Sequence, residues 1–256
     1  MNEYRALITG GSRGIGKGIA LALAQYGFRI AVNALERDAE LNATLAELRA
    51  LGVEASPVIG DVSDLSRHEA LLDDAEAAIG PLTTLVNNAG VSVLSRGDIL
   101  DVTPESYDRC QSVNARGLFF LTQAWARRIL SRSAPGGVHR SVITLSSSNA
   151  VAVSINRSEY CASKAAAAMI ARLFAVRLGG EGVGSYEIRP GIIETPMTAP
   201  AVEAYRERIA EGLTVVPRMG QPSDIGSIAV ALATGQLAFC TGQALQADGG
   251  LVIPRF

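Results

Sequence analysis

Aromatic side chains are scarce, at 5% of 256 residues with one tryptophan, so the core has to be built from small aliphatics within a hydrophobic content of 48%. Ala, Gly, Val, Leu and Ile suit helices packed closely on a parallel sheet that is buried on both faces. Cysteine is also rare. Cys110, Cys161 and Cys240 are odd in number and scattered, which argues against a disulfide frame or a zinc site and for a reducing, cytoplasmic compartment. Two distant histidines, His68 and His139, make no metal cluster. Charge of one sign is missing as well. The formal net charge is -2 with no basic block, which argues against nucleic acid or an anionic membrane as partner. No apolar run reaches transmembrane length; the richest, Ala165 to Leu178, carries Arg172 and Arg177. The amino terminus enters a strand almost at once and leaves no room for a signal peptide. The sequon Asn42-Ala43-Thr44 is then a chance match.

What is present is an alternation of strands and helices along the whole length. A chain of this size makes one large α/β domain, and the alternation predicts a doubly wound sheet of seven parallel strands, a Rossmann fold. Tyr4 to Thr9 reads as the first strand and runs directly into Thr9-Gly10-Gly11-Ser12-Arg13-Gly14-Ile15-Gly16, then into a helix to about Tyr26. Strand, glycine turn and helix open a dinucleotide-binding unit. Gly10 permits the tight turn, and Gly14 and Gly16 let backbone approach a pyrophosphate at the positive end of the helix.

Strand two, Phe28 to Asn33, ends at Asn33-Ala34-Leu35-Glu36-Arg37. An acid at this tip binds the 2′-hydroxyl of NAD; Ala34 stands there instead. Arg13 and Arg37 could flank a 2′-phosphate, which leans the reading to NADP(H), with NAD(H) possible if Glu36 takes the ribose. Strand three is followed by Asp61-Val62, read either as an adenine contact or as an Asx turn. Ser66-x-x-Glu69 has the form of a capping box for the next helix. Strand four ends in Asn87-Asn88-Ala89-Gly90, small enough for backbone to approach a cofactor while the Asn side chains pin neighbouring strands. Thr103-Pro104 starts a long helix to about Leu130, and Asn114 inside it is expected to loosen the backbone ladder. Ser131 to Arg140 reads as a surface loop. After strand six come Pro190, Gly191, Ile193 and Thr195, and residues 192–220 read as a substrate lid of one or two short helices.

The chemistry centres on Leu145 to Lys164. This stretch is the end of a strand, a polar loop and the start of a helix from about Ser158 to Leu178. Tyr160 and Lys164 are four residues apart and share a helix face; Ser147 lies upstream at the strand end. A phenol titrates near ~10, and bringing it toward neutrality takes on the order of 4 kcal/mol of differential interaction. An adjacent ammonium and a cationic cofactor ring would supply this.

Together these motifs resemble the short-chain dehydrogenase/reductase family, from Thr9 to Gly250. The resemblance rests on TGGSRGIG, NNAG, Asn114, Ser147 with YCASK from Tyr160, and PGIIET from Pro190; the nearest flavour is 3-oxoacyl-(acyl-carrier-protein) reductase-like. It implies that Tyr160 is the acid in reduction and the base in oxidation, and that Ser147 bonds the substrate oxygen, with Ser146 and Ser148 as alternatives if the register slips. Lys164 would bind the nicotinamide ribose and lower the Tyr160 pKa, and Asn114 would hold a relay water. The cofactor set becomes Gly10, Ser12, Arg13, Gly14, Ile15, Gly16, Asn33, Arg37, Asp61, Val62, Asn88, Ala89, Gly90, Tyr160, Lys164, Pro190, Gly191, Ile193 and Thr195. The substrate set is Ser147, Asn149, Arg157, Tyr160 and Gly191, and no metal is expected. The family implies reversible hydride transfer between a nicotinamide and a ketone or secondary alcohol in a homotetramer. The substrate would be a small carbonyl or alcohol molecule or a 3-oxoacyl thioester. The alternatives are an NAD-dependent sugar, polyol or hydroxysteroid-type dehydrogenase and, in another class, a non-catalytic dinucleotide sensor. Glu181, before Gly182, replaces the basic residue expected for docking an acidic carrier protein; Arg128, Arg132 and Arg172 could still form a basic patch.

Overall fold

The computed structural model describes residues 4–132 and 136–255. Seven strands run parallel in one sheet: β1 (Arg5–Ile8), β2 (Arg29–Ala34), β3 (Ala55–Ile59), β4 (Thr84–Asn87), β5 (Arg140–Leu145), β6 (Val183–Pro190) and β7 (Ala244–Ala247). Their order is β3-β2-β1-β4-β5-β6-β7. The order reverses between β1 and β4, so the loops leaving these two strands diverge and open a crevice at their carboxyl ends.

One face of the sheet is covered by α1 (Gly14–Gln25), α2 (Ala39–Ala50) and α8 (Pro222–Ala233), which bury Ile19, Leu23, Leu41, Leu45, Ile225 and Leu232 against Ile8, Ile30 and Ile188. Gly18 lets α1 and α8 meet at backbone distance: a Cβ there would lie 2.5 Å from Pro222. The other face carries α3 (His68–Ile79), α4 (Pro104–Gln111), α5 (Leu118–Leu130) and α6 (Ser158–Leu178). Leu71, Leu121, Trp125 and Leu178 pack there on Leu7, Leu85 and Val142.

Three local expectations change. The helix before β4 is not capped by a Ser66–Glu69 box. Asp64 accepts from the Ser66 backbone N–H at 3.0 Å and from its hydroxyl at 2.6 Å, so a short 3₁₀ turn precedes α3, and Glu69 turns to pair with Arg128. The predicted helix from Pro104 to Leu130 is two helices joined by a π-turn, Ser112–Gly117, with Asn114 inside it. Its start is as expected, capped by Thr103 with proline in the first turn. From the sequence strand six reads as Ser185 to Ile188; in the structure β6 begins two residues earlier, at Val183. In the Ser131 to Arg140 loop, residues 133–135 lie outside the described residues, as does Phe256 of the apolar tail.

Between β6 and α8 the chain makes an excursion with a 3₁₀ turn, Ala199–Ala201, and α7 (Val202–Ala210). Its two ends are sewn together: Glu194 N–H donates to Gly220 at 2.8 Å and Gly220 N–H to Ile192 at 2.9 Å. Arg206 and Gln221 both donate to Glu194.

Candidate active site

The crevice at the carboxyl ends of β1 and β4 is a cleft of about 1390 Å³. That exceeds the ~300–1,000 Å³ of an ordinary ligand pocket and leaves room for two ligands side by side. Its floor is the turn after β1. Gly10 and Gly14 have φ of +59° and +54°, which a side-chain-bearing residue adopts only with strain. At Gly16 a Cβ would meet the Gly10 carbonyl at 2.4 Å and Asn88 Nδ2 at 2.5 Å. The start of α1 has no side-chain cap, since Arg13 makes no capping hydrogen bond. Its first N–H groups therefore face the cleft without an internal partner, which suits the pyrophosphate of a dinucleotide.

Two asparagines hold this floor, Asn33 buried and Asn88 partly exposed. Asn88 Nδ2 donates to the Thr9 and Gly10 carbonyls at 2.8 and 2.9 Å, and the Thr9 hydroxyl accepts from the Asn88 and Ala89 N–H groups. Asn33 donates to Val58 and Gly60, and its oxygen accepts from Gly10 N–H. Ser12, Ile15, Val62, Gly90, Pro190, Gly191, Ile193 and Thr195 also line the cleft. Asp61 lines it too, while one carboxylate oxygen accepts from Ser63 N–H at 2.8 Å; the Asx turn is present.

Arg37 departs from expectation. It does not line the cleft, and its Nε donates to Asn42 at 3.2 Å. Arg13 does line it, but its guanidinium pairs with Glu40 at 2.9 Å. Glu36 and Asp38 stand at that end of the cleft.

Ser147, Tyr160 and Lys164 meet in the cleft wall. Of Ser146, Ser147 and Ser148, Ser147 is the one whose side chain acts to lower the Tyr160 phenol. Ser146 instead turns into the sheet and donates to Glu187 at 2.5 Å. Lys164 Nζ donates to the Leu145 carbonyl at 2.9 Å and sits 5.8 Å from the Tyr160 ring centre. Asn114 Oδ1 accepts from Val91 N–H at 2.8 Å, and its Nδ2 donates to the Val91 carbonyl and to Ser163. Gly90 fits between Asn114 and Lys164: a Cβ there would lie 3.2 and 3.3 Å from their polar atoms. Asn149 and Arg157 line the cleft, and Asn149 Nδ2 is spent on the Ala152 carbonyl at 2.9 Å.

Burial dominates the electrostatics of this cluster. Burial pushes the Tyr160 phenol up, against the Ser147 hydrogen bond and the nearby Arg157 charge, which lower it. Burial also brings Lys164 down to about 8. Desolvation is the largest effect on both groups.

A family model described as enoyl-(acyl carrier protein) reductase matches residues 10–252. The chain belongs to the short-chain dehydrogenase/reductase family. It is an oxidoreductase acting between CH–OH and carbonyl groups with a nicotinamide dinucleotide. Among solved structures of this family, a 3-oxoacyl-(acyl-carrier-protein) reductase from Brucella melitensis in complex with NAD is 41% identical over the full length of both chains, with a TM-score of 0.96. An L-rhamnose 1-dehydrogenase (NAD(P)(+)) from Sphingomonas is 31% identical, covering 96% of this chain and 95% of its own. The 3-oxoacyl-(acyl-carrier-protein) reductase of Staphylococcus aureus is 30% identical, covering 96% and 97%. No helix among the described residues of this family member is long and apolar enough to cross a membrane.

Sequence reasoning passed over several cleft residues. Arg96 and Tyr205 lie in the cleft lining, and neither belongs to a periodic or motif pattern. The Arg128 and Arg132 pair is no open basic patch, because Glu69, Asp73 and Glu76 neutralise it.

Proposed function

We propose that this chain catalyses reversible hydride transfer between a nicotinamide and a secondary alcohol or ketone, with Tyr160 moving the proton. The supporting observation is the meeting of Tyr160, Ser147 and Lys164 in the wall of a cleft floored by the glycine turn. When bound, the nicotinamide supplies the hydride chemistry. Tyr160 gives its proton to the carbonyl oxygen in reduction and takes one from the hydroxyl in oxidation. Its raised pKa keeps it protonated at neutral pH, which suits the acid role. Ser147 donates to the same oxygen. Lys164 holds ribose hydroxyls, and its charge favours the phenolate that oxidation requires. Asn114 belongs to the relay that returns the proton to solvent through a water beside Lys164. Tyr160→Phe is expected to lower turnover roughly 10²–10⁴-fold with dinucleotide affinity retained; full turnover in that variant would exclude the role.

At the ribose end we favour NAD(H). Glu36 and Asp38 face the cleft there, Arg13 is tied to Glu40, and Arg37 is turned to Asn42. This geometry speaks against the NADP(H) preference drawn from the two arginines. A Glu36→Gln variant should lose affinity for NAD and gain relative affinity for NADP; a wild-type preference for NADP would refute the assignment.

Residues 192–220 act as a lid over the substrate on a single domain, and the neutralised Arg128 and Arg132 favour a small free substrate over a carrier-bound thioester. Met169, Leu173 and Val176 leave an exposed apolar stripe on α6, consistent with assembly of a homotetramer through α5 and α6. Sedimentation gives the assembly state directly.

A further inference from the structure

Charge is sorted along the cleft. Its three lining carboxylates, Glu36, Asp38 and Asp61, all belong to the β2 and β3 end. The opposite end, beside Tyr160, is lined by Arg96, Arg109, Arg157 and Arg208 with no carboxylate. Among the described residues none of these four arginines is in an ion pair. Elsewhere among the described residues eight arginines are paired with carboxylates, Arg128, Arg189 and Arg218 among them.

Two of the four converge. Arg157 Nη2 donates to the Tyr205 hydroxyl at 3.4 Å, and Arg96, in the same cleft lining, is close enough for its charge to help hold the Tyr205 phenol below its usual range. Arg157 comes from the turn just before α6, Arg96 from the loop after β4, and Tyr205 from α7 of the lid. Three separate segments thus bring two cations into the neighbourhood of one phenol. Like charges held together without a counter-ion raise the energy of the site, and an anion there relieves it. Guanidinium forks match a carboxylate in shape as well as charge. Arg157 is also near enough to Tyr160 for its charge to act on the phenol. An anion held by Arg157 would therefore lie at the Tyr160 end of the cleft. Val151, Val153, Met197 and Leu251 line the same region and suit a short carbon skeleton.

We propose that Arg157 and Arg96 hold the carboxylate of a small hydroxy or oxo acid, with Tyr205 of α7 closing over it. The proposal rests on the hydride-transfer reading for the substrate's other end, and a binding measurement separates the two. NADH-loaded protein cannot oxidise an alcohol, so it is titrated calorimetrically with four- to six-carbon 3-hydroxy acids, aldonic acids, their methyl esters and sugar phosphates. At least one acid is expected to bind ten-fold or more tighter than its ester. Arg157→Gln and Arg96→Gln should each bring the acid toward the ester, with NADH affinity unchanged as the check on folding. Equal binding of acids and esters, no binding of any acid, or tighter binding of the phosphates overturns the carboxylate site. Turnover of the same compounds with NAD and NADP is measured in parallel. Acids that bind selectively but never react refute the hydride-transfer reading while leaving the anion site standing.

Discussion

Asn114 Nδ2 donates to Ser163 Oγ at 2.9 Å, joining the π-turn to α6 one residue before Lys164. Asn114 is fully buried, and the same side chain makes two hydrogen bonds to Val91 in the loop after β4. One amide therefore ties together the π-turn, the loop at the cleft wall and the helix that carries Tyr160 and Lys164.

Asn114→Ala removes all three bonds and leaves the Val91 N–H and carbonyl without their partner. Each buried group left unmade costs about 1–3 kcal/mol, so a loss of roughly 3 kcal/mol is expected from the urea midpoint at constant slope. The turnover number should fall more than the dinucleotide affinity. A variant as stable and active as wild type would contradict this.

Gly16 and Gly18 separate site from scaffold. Gly16→Ala drives a Cβ into the Gly10 carbonyl and Asn88, so the turn must move and dinucleotide affinity should drop at least ten-fold. Gly18→Ala meets Pro222 of α8; neither residue lines the cleft, so the change should cost about 1–3 kcal/mol of stability with the dinucleotide KM unchanged. Paired thermal melts and KM values check both.

The two perturbed groups set the pH dependence of kcat/KM. Reduction needs a protonated Tyr160 and a charged Lys164. The phenol lies above its usual range, so it stays protonated throughout, and Lys164 loses its charge as pH rises through about 8. Reduction should therefore be flat near neutrality and decline above about 8. Oxidation needs the phenolate and should rise with pH from 6 to 8. Reduction that strengthens across the alkaline limb would rule out this assignment.

Glu187 carries a buried load beneath the site. It is fully buried, accepts from Arg189 at 2.6 and 3.0 Å and also accepts from Ser146. Glu187→Ala leaves the largely buried Arg189 cation unpaired, which costs about 3–5 kcal/mol. Glu187→Gln, which keeps an acceptor, should cost less. Chemical denaturation ranks the two, and equal effects would mean the charge is irrelevant.

Much of this was legible in local spacing. Helix α6 runs over Ser158–Leu178 as its pattern predicts, and the strand–glycine–helix opening and the seven parallel strands follow the alternation of apolar runs. Asn114 signalled a loosened ladder, though not two helices. The Ser66 box failed because Asp64 captured the Ser66 N–H two residues earlier, a contest between neighbours that pattern alone does not resolve.

The sequence by itself determined that a phenol and an ammonium share one helix face near a glycine turn, because a helix repeats its faces every three to four residues. Only the tertiary structure decided how far those groups are buried, because desolvation depends on what packs around them from elsewhere in the chain. It likewise decided that Arg37 stays out of the cleft lining and bonds Asn42, while Arg96, Arg157 and Tyr205 share that lining. Those residues lie in segments far apart along the chain, and no local rule places them together.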